Sequence, residues 1–83
     1  MIIYQKDNNT FQTPDLALAG VLSLWYTLEA IDFEHPPKAH FLFKRNKKLD
    51  EMVEMYWRGK LKVEPQAYFS QLRIIKTRLR SNY

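Results

Sequence analysis

The chain contains no cysteine and only two glycines among its 83 residues. The absence of cysteine excludes disulfide bonds and thiolate metal ligands, so packing alone must stabilise the folded state. The scarcity of glycine argues against long flexible loops. A composition that is 46% hydrophobic and 14% aromatic exceeds what a disordered chain carries, and it therefore predicts a folded globule.

The sequence also lacks a long apolar run. No stretch approaches the roughly 18 apolar residues of a membrane-spanning helix, and no basic leader precedes an apolar segment at the N-terminus. We therefore expect a soluble, unprocessed protein without membrane contact and, because cysteine is missing, a cytoplasmic one. A chain of this length buries roughly 60 to 65% of its extended surface, which suffices for one core, so we expect residues 1–83 to form a single domain.

Side chains that catalyse reactions or bind metals are few, and their spacing is unsuited to either task. His35 and His40 are the only histidines, and they flank a Pro-Pro turn instead of forming an HxxxH or HxH pattern. Ser23 and Ser70 fall in predicted helices and not in a strained nucleophile elbow. A histidine-based metal site is the alternative, but we expect no enzyme activity, no metal and no cofactor.

Two short β-forming segments precede the first predicted helix, Ile2-Ile3-Tyr4 and Phe11-Gln12-Thr13, and at most one is expected to be a full strand. The helix should begin at Thr13-Pro14-Asp15, which combines a capping hydroxyl, a proline suited to the first helical position and a carboxylate near the positive helix end. Apolar residues at helical spacing predict that it ends near Trp25 or Tyr26. Within it, Gly20 either costs about 1 kcal/mol against alanine or lets another element approach closely.

A β-hairpin should follow. Two β-rich runs, residues 26–33 and 39–45, are separated by the turn-forming segment His35-Pro36-Pro37-Lys38. In the second run, the two-residue period of a strand places Ala39, Phe41 and Phe43 on one face. We expect an antiparallel pair whose aromatic face packs against the first helix.

Two helices complete the chain. Asn46 is a suitable cap for the second, and Gly59 stands where a left-handed residue commonly ends a helix. Glu64-Pro65 should open the third helix. Its apolar stripe is expected to contain Tyr68, Leu72, Ile75 and Leu79, broadened by Phe69 and Ile74. The order β-α-β-β-α-α predicts an α+β fold, with about three antiparallel strands packed against three helices.

Several motifs follow one another as they do in a known family. Phe11-x-Thr13-x-Asp15-Leu16-x-Leu18-Ala19 is followed by Phe41-x-Phe43, by Tyr56-Trp57-x-Gly59 and by Val63-x-Pro65. Over most of the chain this pattern resembles the prokaryotic domain-of-unknown-function family 5659. The resemblance implies a short single-domain α+β protein of bacteria, archaea or their mobile elements, and it implies no established activity, cofactor or catalytic residue.

Charge is distributed unevenly along the chain. Residues 1–43 carry two basic and five acidic side chains, whereas residues 44–83 carry eleven basic and four acidic ones. Such an uneven field favours one kind of partner on one face, typically a polyanion. Offsets of three and seven residues place Arg73, Lys76 and Arg80 on one face of the third helix, where they could follow a phosphate backbone.

The candidate site has a second group of residues after the second helix. Arg58 and Lys60 add cations there, and Trp57, one position off the apolar stripe, offers a surface on which a base can stack. We therefore expect a small non-catalytic accessory domain that contacts DNA or RNA without strong sequence preference. Its candidate binding residues are Arg58, Lys60, Arg73, Lys76, Arg80 and Trp57.

Two other interpretations remain open. In the first, the charge serves solubility and helix stability alone, because cations near helix C-termini complement the helix dipole. Alternatively, the chain has more aromatic residues than a core of this size needs, and the surplus favours a protein interface or homo-oligomer. Self-association would use the third helix, or the segment Ile2-Ile3-Tyr4 added to an open sheet edge.

Overall fold

The structure is a computed structural model that describes residues 9–34 and 38–81. Within these residues the elements are β1 (Thr10–Thr13), α1 (Leu16–Leu22), β2 (Leu28–Asp32), β3 (His40–Lys44), α2 (Lys47–Trp57) and α3 (Pro65–Ser81). One three-stranded antiparallel sheet and three helices in this order confirm the predicted α+β fold. The candidate strand Ile2-Ile3-Tyr4 and the turn residues 35–37 lie outside the described residues.

The central strand of the sheet is β3, with β1 on one side and β2 on the other, both antiparallel to it. The strand period turns Phe41 and Phe43 toward the helices, and both rings are buried. Phe43 lies opposite Phe11 of β1 and Leu28 of β2. The predicted antiparallel hairpin and its aromatic face are therefore confirmed, and that face forms the floor of the core.

The start of α1 differs slightly from the prediction. Its N-cap is Asp15, whose Oδ1 accepts the backbone N–H groups of Ala17 at 2.9 Å and Leu18 at 3.3 Å. Thr13 and Pro14 precede the helix, and the Thr13 hydroxyl oxygen accepts the Asp15 N–H at 3.1 Å. The carboxylate reaches two free N–H groups from its position, so it takes the capping role that the sequence assigned to the threonine.

Helix α1 ends earlier in the chain than the sequence predicted. The helix ends at Leu22 and not near Trp25 or Tyr26. Beyond it, the Leu24 N–H donates to the Val21 carbonyl and the Trp25 N–H to the Leu22 carbonyl, both at 3.1 Å. In each of these hydrogen bonds the acceptor carbonyl lies three residues before the donor, as in a 3₁₀ turn, and this tighter turn directs the backbone toward β2. Helical periodicity continues in the sequence, but the chain must enter the sheet at Leu28, so the tertiary fold overrides it.

The core lies between the inner face of the sheet and the helices, and α1 is its central helix. Its completely buried large side chains are Phe43, Leu18, Leu22, Leu49 and Ile75. At Gly20 the two helices α1 and α3 approach closely, because a Cβ there would lie 2.7 Å from Leu72 Cδ2 and 3.0 Å from Tyr68 Cε1. Of the two roles considered for this glycine, the structure supports close approach.

The ends of α2 and α3 are formed by the residues that the sequence indicated. Asn46 Oδ1 accepts the Leu49 N–H at 2.8 Å and caps α2. Gly59 has a φ of 71°, the left-handed conformation that follows many helices. Glu64 Oε1 accepts the Ala67 N–H at 2.7 Å at the start of α3. No helix in the described ranges has the length and apolar character needed to cross a membrane.

The apolar stripe of α3 is narrower than predicted. Ile75 is buried, and Tyr68, Leu72 and Leu79 are partly buried beside it. Ile74, in contrast, is 52% exposed, and Phe69 is exposed as well. Neighbouring residues on a helix point about 100° apart, so Ile74 cannot face the same core as Ile75. The expectation that Phe69 and Ile74 broaden the buried stripe was wrong.

Candidate nucleic-acid interface

Helix α3 carries four cationic side chains and no carboxylate. Its inner side is held against α1 by the apolar stripe and by the Tyr68 hydroxyl, which donates to the Ala17 carbonyl at 3.2 Å. Because one side is fixed to the core, the opposite side must face solvent along the whole helix. The cations on that side therefore stand on a rigid support.

Three of these cations form what we call the basic strip, Arg73, Lys76 and Arg80. All three are exposed, as their helical offsets predicted. They follow one another along about 10 Å of helix. Within the described ranges, none of the three makes an ion pair. The neighbouring Thr77 hydroxyl donates within the helix, to the backbone carbonyl of Arg73 at 2.9 Å. The strip is thus a row of available positive charge.

The other three predicted residues lie within residues 57–64, the last residue of α2 and the loop that joins it to α3, which we call the connector. Arg58 is the C-cap of α2, and its Nε lies 3.8 Å from Glu54 Oε1, with both side chains largely exposed. Lys60 is exposed, and its backbone N–H donates to the Met55 carbonyl at 2.9 Å. Trp57 is 64% exposed, and its ring meets that of Tyr56 edge-on at 5.0 Å between centroids.

The six predicted residues therefore form two groups. The connector precedes Pro65, the first residue of α3, whereas Arg73 lies about 12 Å further along the helix axis. Glu64 stands between them in the chain, with its carboxylate bonded to the first turn of α3. The helical offsets align Arg73, Lys76 and Arg80 on α3, whereas Arg58, Lys60 and Trp57 precede that helix in the chain as a separate group.

A groove beside the basic strip was not identified from the sequence. This groove, which we call the Trp25 groove, has a volume of about 350 Å³ and lies between residues 23–28 and α3. Trp25 is 53% exposed at one wall. Ile74 and Arg78 line the other wall, and both also line an adjacent hollow that contains Arg73. The hollow therefore lies between the groove and Arg73, the first cation of the basic strip.

One signal in the sequence pointed to this groove. Ile74 and Ile75 are adjacent, and a helix cannot bury both on one narrow stripe. The early end of α1 had no comparable signal, yet it is what carries Trp25 out of the helix and against α3.

Metal binding finds no support in the described ranges, 9–34 and 38–81. There, no three histidine, aspartate or glutamate side chains are grouped closely enough to hold an ion. His40 of β3 lies opposite Asp32 of β2, and its Nδ1 is shielded from solvent without a hydrogen-bond partner in that part of the chain. His35, the other histidine considered as a ligand, lies outside the described residues.

A family model matches most of the chain. Residues 8–81 match the model of a family described as Domain of unknown function (DUF5659). The matched range contains all six described elements, from β1 to α3, and it confirms the resemblance found in the motifs. No curated protein and no solved structure matches the chain.

Proposed function

The chain belongs to the DUF5659 family, and we propose that it is a small non-catalytic domain that binds nucleic acid through the phosphate backbone. The observation that carries this proposal is the basic strip. Arg73, Lys76 and Arg80 are exposed, aligned and without an ion pair among the described residues, on a helix that has no carboxylate. A row of cations of this kind is complementary to consecutive phosphates and carries little sequence information.

The helix dipole accounts for only part of this charge. Arg78 and Arg80 lie in the last turn of α3, where a cation stabilises the helix C-terminus. Arg73 and Lys76 precede that turn, and the effect of the dipole falls off within it. Because α3 carries no carboxylate that could pair with them, an anionic partner explains their presence better.

The connector between α2 and α3 adds a second contact region to the proposal. Lys60 offers an exposed cation and Trp57 an exposed ring, and both precede the first residue of α3 in the chain. Arg58 contributes less, because Glu54 lies beside it. The basic strip should therefore contribute more to the affinity for a bound strand than the connector does.

The test compares two variants with equal loss of charge. One replaces the basic strip, R73Q/K76Q/R80Q, and the other replaces three exposed lysines before and within the first turn of α2, K44Q/K47Q/K48Q. Binding of labelled single- and double-stranded oligonucleotides is measured by fluorescence anisotropy from 50 to 200 mM salt. Circular dichroism confirms that each variant is folded.

The unmodified chain should lose roughly twenty- to fortyfold in affinity over that salt range if the three cations each neutralise one phosphate. The strip variant should bind weakly and with a salt slope reduced by about two to three. The α2 variant should keep most of the affinity, because its lysines lie outside α3 and two of them are followed in the chain by Asp50 and Glu51. Equal losses in both variants, or binding insensitive to salt, would contradict the proposal.

The same proposal places the protein in the cytoplasm, the compartment that a cysteine-free chain in contact with nucleic acid favours. Cell fractionation checks this. Recovery of the chain outside the cytoplasm would contradict it.

A second candidate function is homo-oligomerisation, which the exposed apolar side chains favour. Trp57, Phe69 and Met55 are all exposed on α2 and α3. Large exposed apolar and aromatic side chains are enriched at protein interfaces. Light scattering distinguishes the two functions, because an oligomerisation module has a mass that rises with concentration and does not bind oligonucleotides.

A further inference from the structure

The Trp25 groove has the chemistry of a base-binding site. Trp25 supplies an aromatic side chain that makes no ring contact among the described residues, and its exposure leaves it accessible. Ile74 provides an apolar surface opposite, and Gln71 and Arg78 add an amide and a guanidinium. A site with aromatic and apolar walls and a few polar groups is suited to a flat heteroaromatic ring.

We propose that this groove takes an unpaired base of the nucleic acid whose phosphates lie on the basic strip, so that the protein prefers single strands to duplexes. The inference rests on the proposed function and adds the class of ligand. Its main support is adjacency, since Ile74 follows Arg73 in α3 and lines both the groove and the hollow at Arg73. A strand that contacts Arg73 can therefore cross this hollow to reach the mouth of the groove, where Arg78 adds a further cation.

A duplex cannot place a base in the groove. Its bases are stacked on each other and paired, so a side chain outside the helix meets their edges and not their faces. A single strand can turn one base out of its stack and place it on an aromatic ring. The phosphates of either form can contact the strip, but only the single strand can also fill the groove.

A second copy of the chain is a poorer occupant of the groove. A twofold interface across α3 would bring the same cationic surface of both copies together, including Arg73 and Arg78. The residues bordering the groove would then repel each other. An anionic strand instead complements both arginines, which is why the charge at the groove favours nucleic acid.

The first measurement uses the intrinsic fluorescence of Trp25. The chain has two tryptophans, so W57F leaves Trp25 as the only one. Titration with an unlabelled single-stranded oligonucleotide should quench this fluorescence to saturation, because a stacked base lies against the ring. The matching duplex should bind without quenching. Quenching by neither form, in a protein that binds single strands by anisotropy, would overturn the inference.

The second measurement compares W25A with W57A by anisotropy. W25A should weaken single-strand binding roughly five- to a hundredfold, the range found when a base-stacking aromatic is replaced by alanine. Duplex binding should be unchanged. W25F retains a ring and should recover much of the affinity, and thermal unfolding of each variant checks that the fold is kept. If W57A reduces single-strand binding and W25A does not, the base stacks at the connector and the inference is wrong.

The outcomes separate the inference from the function on which it rests. If the unmodified chain binds no oligonucleotide, both are overturned, and a concentration-dependent mass would then support the oligomerisation function. If binding is salt-dependent and lost in R73Q/K76Q/R80Q but equal for single strands and duplexes, the proposed function stands and the inference fails. A single-strand preference that is lost in W25A supports both.

Discussion

The Tyr56 hydroxyl lies 3.2 Å from Asp15 Oδ2 and donates a hydrogen bond that joins the last turn of α2 to the start of α1. The other carboxylate oxygen, Oδ1, accepts the N–H groups of Ala17 and Leu18. Tyr68 of α3 donates to the Ala17 carbonyl, also at 3.2 Å. All three helices are therefore connected at the first turn of α1, and this junction holds α3 in the position on which the proposed interface depends.

Substitution of Asp15 should destabilise the protein clearly. D15A removes the cap of α1 and the acceptor of the Tyr56 hydroxyl, so we expect a loss of about 2 kcal/mol in the free energy of unfolding. D15N keeps an oxygen that can cap the helix and should lose less than half as much. Urea denaturation followed by circular dichroism measures both. Equal losses for the two variants would show that capping is not the source of the effect.

Stability should decrease at high pH because of the same junction. Burial raises the pKa of Tyr56, and the nearby negative charge of Asp15 raises it further; burial and Asp15 also raise the pKa of Tyr68. Each phenol holds its proton more tightly in the folded chain than in the unfolded chain. Its contribution is therefore complete below about pH 10 and is lost as the pH rises through the folded-state pKa.

The measurement is the urea midpoint across about pH 9 to 11, near the ordinary tyrosine pKa. The double variant Y56F/Y68F lacks both phenols and should lose stability less steeply over this range. A decline of the same steepness in the variant would assign the effect to other groups.

Filling the close contact between α1 and α3 should destabilise the protein. G20A places a Cβ 2.7 Å from Leu72 Cδ2 and 3.0 Å from Tyr68 Cε1, and the Tyr68 ring is held by its hydrogen bond to Ala17. Overpacking of this kind costs about 1 to 3 kcal/mol, against about 1 kcal/mol gained in helix propensity. We expect a net loss of about 1 kcal/mol, measured by urea denaturation.

A double-mutant cycle identifies the cause of that loss. L72A removes the closest obstructing atoms, so G20A should cost less in the L72A background than in the unmodified chain. G59A is the contrasting glycine variant, because space is open around Gly59 and only its φ of 71° opposes a side chain. If G20A costs the same with and without Leu72, the contact between the two helices is not what requires the glycine.

Local signals explain why much of the fold could be predicted. Asn46 caps the helix that follows it, and Gly59 adopts the left-handed conformation after α2; both effects involve only nearby backbone. The strand period of Phe41 and Phe43 and the helical offsets of the basic strip are likewise properties of a single element. These features need no knowledge of the rest of the chain.

The remaining features depend on contacts between distant segments. Asp15 and Tyr56 are 41 positions apart, and neither residue alone indicates the other as a partner. The end of α1 is set by the entry into β2, against a helical pattern that runs on to Trp25. The Trp25 groove exists only because that early end brings the indole beside α3. The cations of the candidate site were therefore predictable, whereas the groove was not, because the adjacent Ile74 and Ile75 indicate only that one of them is exposed.

Arg58 and Arg73 should differ in their contribution to binding because only Arg58 has a carboxylate beside it. Its Nε lies 3.8 Å from Glu54 Oε1, whereas Arg73 has no ion pair in the described ranges. R73Q should therefore weaken oligonucleotide binding more than R58Q. E54Q releases Arg58 and should strengthen binding, by up to about fivefold if the exposed pair has an ordinary strength.

E51Q is the matched control, since Glu51 is exposed on the same helix and makes no ion pair within the described part of the chain. It removes the same negative charge without releasing an arginine, so its effect should be smaller than that of E54Q and should vanish sooner as salt screens long-range attraction. Anisotropy titrations at two salt concentrations compare the variants. Equal gains for E54Q and E51Q would mean that Arg58 does not contact the strand, and the proposed interface would then be confined to α3.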